Sequence, residues 1–237
     1  CAFFGGVLMV LRKFMGIFAI TLIVCSASLA MAGIPDANEC DSNREDQGGV
    51  KAVVFIAPGS EADAPFDEAV QDNNPYPAPQ IIIDATINVY VNDSAGVAIA
   101  NYPNEDVWIE NPVAPAPPGD PDTHIGLVAC TGGAIADQST DVFGWTLFQN
   151  PKFGGGQSYG PTRVVVNGNG LPNTVDVSFN STDINGDGVV NLIDLQTFTA
   201  DFFSAPTYHF RSDFFYDQIV NLIDLPVMAR TYGSICP

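Results

Sequence analysis

The sequence predicts a mostly-β chain that closes on a small, duplicated, all-α unit. Three observations predict it. Gly (22) and Pro (18) are abundant and basic helix formers are scarce, which favours turns and strands over a helical bundle. Between residues 83 and 92, Ile83, Ala85, Ile87, Val89 and Val91 alternate with Asp84, Thr86, Asn88, Tyr90 and Asn92, the period of a half-buried strand. Finally, Val189-Val190-Asn191-Leu192-Ile193-Asp194-Leu195 recurs 30 residues later as Ile219-Val220-Asn221-Leu222-Ile223-Asp224-Leu225.

Charge narrows the functions open to such a chain. Its 237 residues carry 8 Lys+Arg against 27 Asp+Glu, a formal net charge of -19. A nucleic-acid backbone is held by Lys and Arg releasing counterions, so nucleic acid is excluded as a partner, and anionic membrane surfaces with it. The acidity does not imply disorder, because 46% of residues are hydrophobic and only 15% are charged.

Residues 1–32 read as upstream residues plus a secretory signal peptide. Arg12 and Lys13 precede an apolar run from Phe14 to Val24, and Ala30 and Ala32 form an A-x-A cleavage site before Gly33. The apolar run is about half the ~20 residues of a membrane span, so no span is expected once the signal is removed. The protein is expected to be secreted, extracellular or on the cell surface. There disulfides persist. Cys40, Cys130 and Cys236 allow one bridge and one leftover thiol, with all three pairings open. His124 and His209 sit in no recognisable motif and are expected at the surface.

Residues 33–180 read as strands. Val50–Ile56 is the first, followed by a long acidic, Pro-rich loop from Pro58 to Pro79. The alternating strand comes next and ends at a turn, Asp93-Ser94-Ala95-Gly96. Val97–Ala100 and Asp106–Ile109 form the return, with Trp108 a core candidate. After a second Pro-rich loop at Pro112–Pro121, short strands recur near Leu127–Cys130, Trp145–Phe148, Arg163–Val166 and Thr174–Phe179. Gly154-Gly155-Gly156 reads as a flexible turn. Many short strands between Gly/Pro turns point to a β-sandwich. Asn88–Ile99, with its strand–D-x-x-G–strand order, and Thr140–Phe148, with T-D-x-x-G, resemble bacterial Ig-like modules of the invasin type. That resemblance implies a spacer, adhesion or display module.

Residues 181–237 hold the sharpest motif. With Asp183 as position 1, Asn185 falls at 3, Asp187 at 5, Gly188 at 6, Val189 at 7, Asn191 at 9 and Asp194 at 12, the spacing of an EF-hand calcium loop. Ca²⁺ takes six to eight oxygens at roughly 2.3–2.6 Å. Alternate side chains of a tight loop supply three of them, the Val189 carbonyl a fourth, Asn191 acts through a water, and Asp194 closes the site from the following helix. Gly188 supplies the positive φ of the turn. In the second copy Asp213, Asp217, Ile219, Asn221 and Asp224 hold positions 1, 5, 7, 9 and 12, but Phe215 replaces the Asn at 3 and Gln218 the Gly at 6. This loop is expected to be degenerate, with a weak or empty site, and Phe214, Phe215 and Tyr216 are alternatively packing residues.

The pair of loop-plus-helix units resembles a type I dockerin over residues 183–233. The resemblance implies Ca²⁺ as cofactor and protein docking as function, with a cohesin-like domain or other extracellular protein as partner. It also implies a partner-binding role for Leu192, Ile193, Leu222 and Ile223, which otherwise pack against the sandwich. No catalytic site is expected. Glu61, Asp63, Asp67, Glu68, Glu105, Asp106 and Glu110 include no pair marked as a glycosidase acid and base. Two other readings stay open. One is a carbohydrate-binding component of a polysaccharide-degrading complex, with Tyr90, Trp108 and Trp145 as exposed aromatics. The other is a self-associating surface or matrix protein.

Overall fold

A computed structural model describes residues 33–46, 49–59, 65–72, 78–111, 117–152 and 154–237. The signal-peptide reading of residues 1–32, and Glu61 and Asp63, lie outside the described residues. The described chain is mostly β, with two α-helices near its C-terminus. The strands are β1 (Asp41–Arg44), β2 (Ala52–Ile56), β3 (Ala69–Gln71), β4 (Ile82–Ile83), β5 (Ile87–Tyr90), β6 (Val107–Glu110), β7 (Gly126–Val128), β8 (Trp145–Phe148), β9 (Gly155–Gln157), β10 (Thr162–Val166), β11 (Asn169–Val175) and β12 (Val177–Ser181). They form sheets ordered β1-β5-β8, β11-β10-β6 and β12-β2-β3-β4, with β7-β9 a two-stranded ribbon.

The alternating stretch behaves as its pattern dictates. Ile83, Ala85, Ile87, Val89 and Val91 are all buried. Two elements divide it, however, because the Asp84 carboxylate accepts from the Thr86 amide at 2.9 Å and turns the chain between β4 and β5. Thr86 and Asn88 on the opposite face are also buried rather than wet. Asn88 is held there by Glu45 and by the Trp145 indole, which donates to its Oδ1 at 2.9 Å. The expected return strand at 97–100 reduces to a single bridge between Asn92 and Ala98. The Pro58–Pro79 stretch is not all loop, since it contains β3.

The continuous apolar run of β2 has a structural cause. Ala52, Val54 and Ile56 join the main core with side chains from β4, β5, β6, β8, β10, β11 and β12. Val53 and Phe55 point the other way, Val53 beside Phe210 and Tyr216, Phe55 against the cluster of Ile184, Val190, Phe198, Phe214 and Met228. β12 runs parallel to β2, Val177 opposite Ala52 through Ser181 opposite Ile56. It sends Val177 and Phe179 to the main core, and Asn180 to the carbonyls of Phe210 and Asp213 at 2.7 and 3.2 Å. A parallel pair buried on both faces is the usual condition of parallel sheets. Here it is the wall between the β core and the C-terminal segment. Each apolar side chain it buries contributes about 1.5–3 kcal/mol.

Residues 34–237 cluster as one compact unit. Cys130 and Cys236 form a disulfide, and Cys40 is a buried free thiol whose pKa is raised by burial. No helix among the described residues is long and apolar enough to cross a membrane.

Candidate metal-binding site

The two loops of the C-terminal segment share one hydrogen-bonded frame, displaced by 30 positions. At position 1, Asp183 accepts from the amides of Asp187 (3.1 Å) and Gly188 (2.8 Å), and Asp213 accepts from those of Asp217 (3.3 Å) and Gln218 (2.8 Å). At position 5, Asp187 and Asp217 each accept from the amide two residues on, at 3.0 Å. At position 12, Asp194 Oδ2 accepts from Asn191 N and Asp224 Oδ2 from Asn221 N, both at 2.9 Å. The other oxygen reaches back across each loop, to the amide of Asn185 at 3.1 Å and those of Phe214 and Phe215 at 2.8 and 2.9 Å.

The backbone matches as closely. Positions 4 and 6 are left-handed in both loops: Gly186 and Gly188 at φ 67° and 83°, Tyr216 and Gln218 at 58° and 69°. The second loop therefore keeps the turn despite carrying side chains where glycine is favoured, at ~1–2 kcal/mol each. Tyr216 is held by burial, being 1% exposed against Phe210 and Val53. Phe214 is buried as well, stacked on Phe198. Of the three aromatics expected as alternative packing residues, Phe214 and Tyr216 pack and Phe215 is half-buried.

Asn191 and Asn221 at position 9 make the same side-chain bonds, but only Asn191 caps a helix. Their Oδ1 atoms accept from Ile193 N (2.8 Å) and Ile223 N (3.0 Å), and Asn191 with Asp194 completes a capping box at the start of the first helix, Leu192–Phe202. Their amide nitrogens donate to the position-7 carbonyls of Val189 and Ile219, both at 3.2 Å. The second helix, Leu225–Thr231, begins only after Asp224.

The carboxylates are short of water and close to one another. Asp183, Asp194, Asp213 and Asp224 are fully buried. Burial, with the charges of Asp194 and Asp187, pushes the Asp183 carboxyl up to about 6. Burial, with Asp224 and Asp217, pushes Asp213 up to about 8. Burial and the Asp217 charge hold Asp224 at about 6, and burial raises Asp194. A cation placed among them reverses each of these penalties, so the donor set fits a hard, oxygen-seeking ion.

Two supporting features carried no signal in the sequence. The Tyr208 hydroxyl donates to Asp213 Oδ2 at 3.1 Å, and burial raises its own pKa. The Gly154-Gly155-Gly156 stretch is not a flexible turn. β9 pairs with β7, and Gly156 N donates to the Asp183 carbonyl at 2.9 Å. A Cβ on Gly155 would stand 2.8 Å from that of Asp183 and collide with its carboxylate. The absent side chain is what lets β9 cover position 1.

Leu192, Ile193 and Leu222 are 56%, 54% and 68% exposed, and Ile223 is half-buried. The first three do not pack on the β core. A shallow apolar groove lined by Leu195, Leu225, Met228, Ala229 and Tyr232 opens on the same segment.

Both histidines lie inside, contrary to the surface placement expected from sequence: His124 is 1% and His209 7% exposed. His209 joins Asp120 and Asp122 with ligand atoms within 4.8 Å of one another. Among the described residues, neither calcium-type loop brings three acidic side chains that close. Comparison with family models, with curated proteins and with solved structures gives no match.

Proposed function

We propose that the chain is a secreted, non-catalytic protein whose C-terminal segment is a dockerin-like, calcium-binding module for protein docking. On this reading the β part is a sandwich of Ig-like type serving display or adhesion. The observation that carries the proposal is the duplicated frame of carboxylates at Asp183/Asp213, Asp187/Asp217 and Asp194/Asp224, all buried but Asp187. Asp183, Asn185, Asp187, the Val189 carbonyl and Asp194 make the tighter site, with Asn191 as a cap and outer ligand. Asp213, Asp217, the Ile219 carbonyl and Asp224 make a weaker one, because Phe215 offers no oxygen from its side chain.

Exposed Leu192, Ile193 and Leu222 support docking to a cohesin-like or other extracellular protein, since aliphatic side chains this open are the raw material of an interface centre. The segment is stapled to the β part by Cys130–Cys236, so it docks as one face of a larger body rather than as a module on a string. The test is calorimetric titration of the full chain with Ca²⁺, then capture of surface proteins of the source organism with and without Ca²⁺. Uptake of calcium and calcium-dependent capture, lost in Leu192→Asp/Leu222→Asp, are expected. Absence of calcium uptake refutes the reading.

A carbohydrate-binding role is favoured by one arrangement. Tyr90 and Trp145 are directly opposed across β5 and β8, and both retain exposure. Trp108 lies in a different sheet, so a three-aromatic platform is not formed. Retention on polysaccharide that Trp145→Ala abolishes would select this role for the β part.

A further inference from the structure

Ahead of β7 and after the first helix lies a polar cluster that the calcium loops do not use. Asp120 Oδ2 is 3.0 Å from His124 Nε2 and accepts from the Phe210 amide at 3.1 Å. Asp122 Oδ2 is 2.9 Å from His209 Nδ1, and its Oδ1 is 3.0 Å from Arg211. Asp201 takes another edge of the same guanidinium with two contacts of 2.8 Å. The side chains of Asp120 and His124 are 0% exposed, Asp122 8%, His209 9% and Asp201 3%.

Two observations set this cluster apart from a closed ion-pair network. The first is charge. Three carboxylates, Asp120, Asp122 and Asp201, stand with one guanidinium and two imidazoles, His124 and His209, in a region nearly without solvent, and with the imidazoles neutral two formal negative charges are left over. Uncompensated buried charge costs several kcal/mol per ion. The second is hydrogen bonding. His209 Nε2 and His124 Nδ1 are buried with no partner, whereas buried polar atoms are normally paired. A divalent cation supplies the missing charge and an acceptor for an imidazole lone pair.

We propose that Asp120, Asp122 and His209 hold a divalent transition-metal ion of the zinc class, distinct from the calcium of the loops. The donor set decides the class. One imidazole nitrogen and two carboxylates suit zinc and its neighbours, while calcium seeks six to eight oxygens. Zinc-class ions hold nitrogen and oxygen ligands at about 2.0–2.2 Å in tetrahedral geometry. Tetrahedral ligands at that bond length stand about 3.4 Å apart, so three ligand atoms within 4.8 Å of one another close on an ion by moving inward by about 1 Å or less. The ion pins residues 120–122 of the β part to the strand-less stretch between the two helices. That makes it a second link between the β part and the C-terminal segment, beside the Cys130–Cys236 bridge.

The test uses the full chain stripped of metals, saturated with Ca²⁺ and then titrated with Zn²⁺. One equivalent of zinc is expected, not displaced by excess calcium, retained in Asp183→Asn and lost in His209→Gln and Asp122→Asn. Co²⁺ in place of Zn²⁺ on the unmutated chain is expected to give visible d–d bands, which keeps the test open if a variant fails to fold. A calcium-saturated chain that takes up neither zinc nor cobalt overturns the proposal. So does a folded His209→Gln variant that binds zinc as the unmutated chain does.

Discussion

Gln218 stands at position 6 of the second loop with φ 69°, where the first loop has Gly188 at 83°. A left-handed residue with a side chain costs ~1–2 kcal/mol, and Gln218→Gly removes that cost. The side chain is exposed, and it is the backbone amide of residue 218 that holds Asp213, so no burial and no loop hydrogen bond is lost. Against the gain stands the extra freedom of glycine in the unfolded chain, roughly 0.5–1 kcal/mol. The net is a stabilisation of about 0.5–1 kcal/mol. For a unit of this size 1 kcal/mol moves Tm by about 2–4 °C, so a rise of about 1–4 °C is expected by differential scanning calorimetry. Calcium titration of the same variant should show a tighter second equivalent, because the turn no longer opposes the bound geometry. Tyr216→Gly is the counterpart with opposite sign. It relieves the same ~1–2 kcal/mol at φ 58° but deletes a fully buried aromatic, a loss of about 3–5 kcal/mol. A lowered Tm for Gln218→Gly, or a raised one for Tyr216→Gly, would refute the balance of strain and packing argued for this loop.

Three further outcomes can be measured. Asp183→Asn is expected to abolish the tighter calcium equivalent and Asp213→Asn only the weaker, because the first loop retains Asn185 where the second has Phe215; equal losses in calorimetry contradict that ranking. With calcium removed by chelator, stability should fall as pH rises. Asp183 and Asp224 at about 6 and Asp213 at about 8 lie above the unfolded value near 3.9, so the folded state binds these protons more tightly. Their contribution is whole below about pH 4 and is lost on passing through pH 6 and 8. Calcium should flatten the profile, and a chelated protein whose Tm climbs between pH 5 and 8 would sink the assignment of these carboxylates. Gly155→Ala should weaken the tighter calcium site without touching the disulfide, since the new methyl meets Asp183. Gly168→Ala, which meets nothing within 4 Å, should leave calcium binding unchanged.

What the sequence made legible is what depends on near neighbours. The alternation from Ile83 to Val91 places a buried face because strand side chains alternate, whatever the rest of the chain does. The Asp183–Asp194 spacing specifies a loop because its carboxylates are held by amides near in the chain, Asp194 by that of Asn185 nine positions away. Features made by distant segments stayed hidden. Nothing local to Val53 and Phe55 says that β2 has a second covered face; that follows from the packing of Phe210 and Phe214 onto it. His209 looked like a surface residue because its partner Asp122 is 87 positions away, and His124, though near Asp120 in sequence, because Phe210 packs on its ring from the far end of the chain. Asp120-Pro121-Asp122-Thr123-His124 carries a ligand-like spacing, yet it sits in a Pro-rich stretch where acids usually face water. Three cysteines allowed three pairings, and only the fold selects Cys130–Cys236.

That bridge also decides how the molecule carries load. Cys130 and Cys236 are separated by 106 positions, and the interval contains both calcium-type loops and both helices. Tension applied along the chain from either side enters the crosslink and leaves through it, so the intervening residues lie outside the force path. Pulling can peel β1 to β7 from their neighbours while the metal loops remain slack. Under reducing conditions the same pull also runs through β8 to β12, both calcium-type loops and both helices.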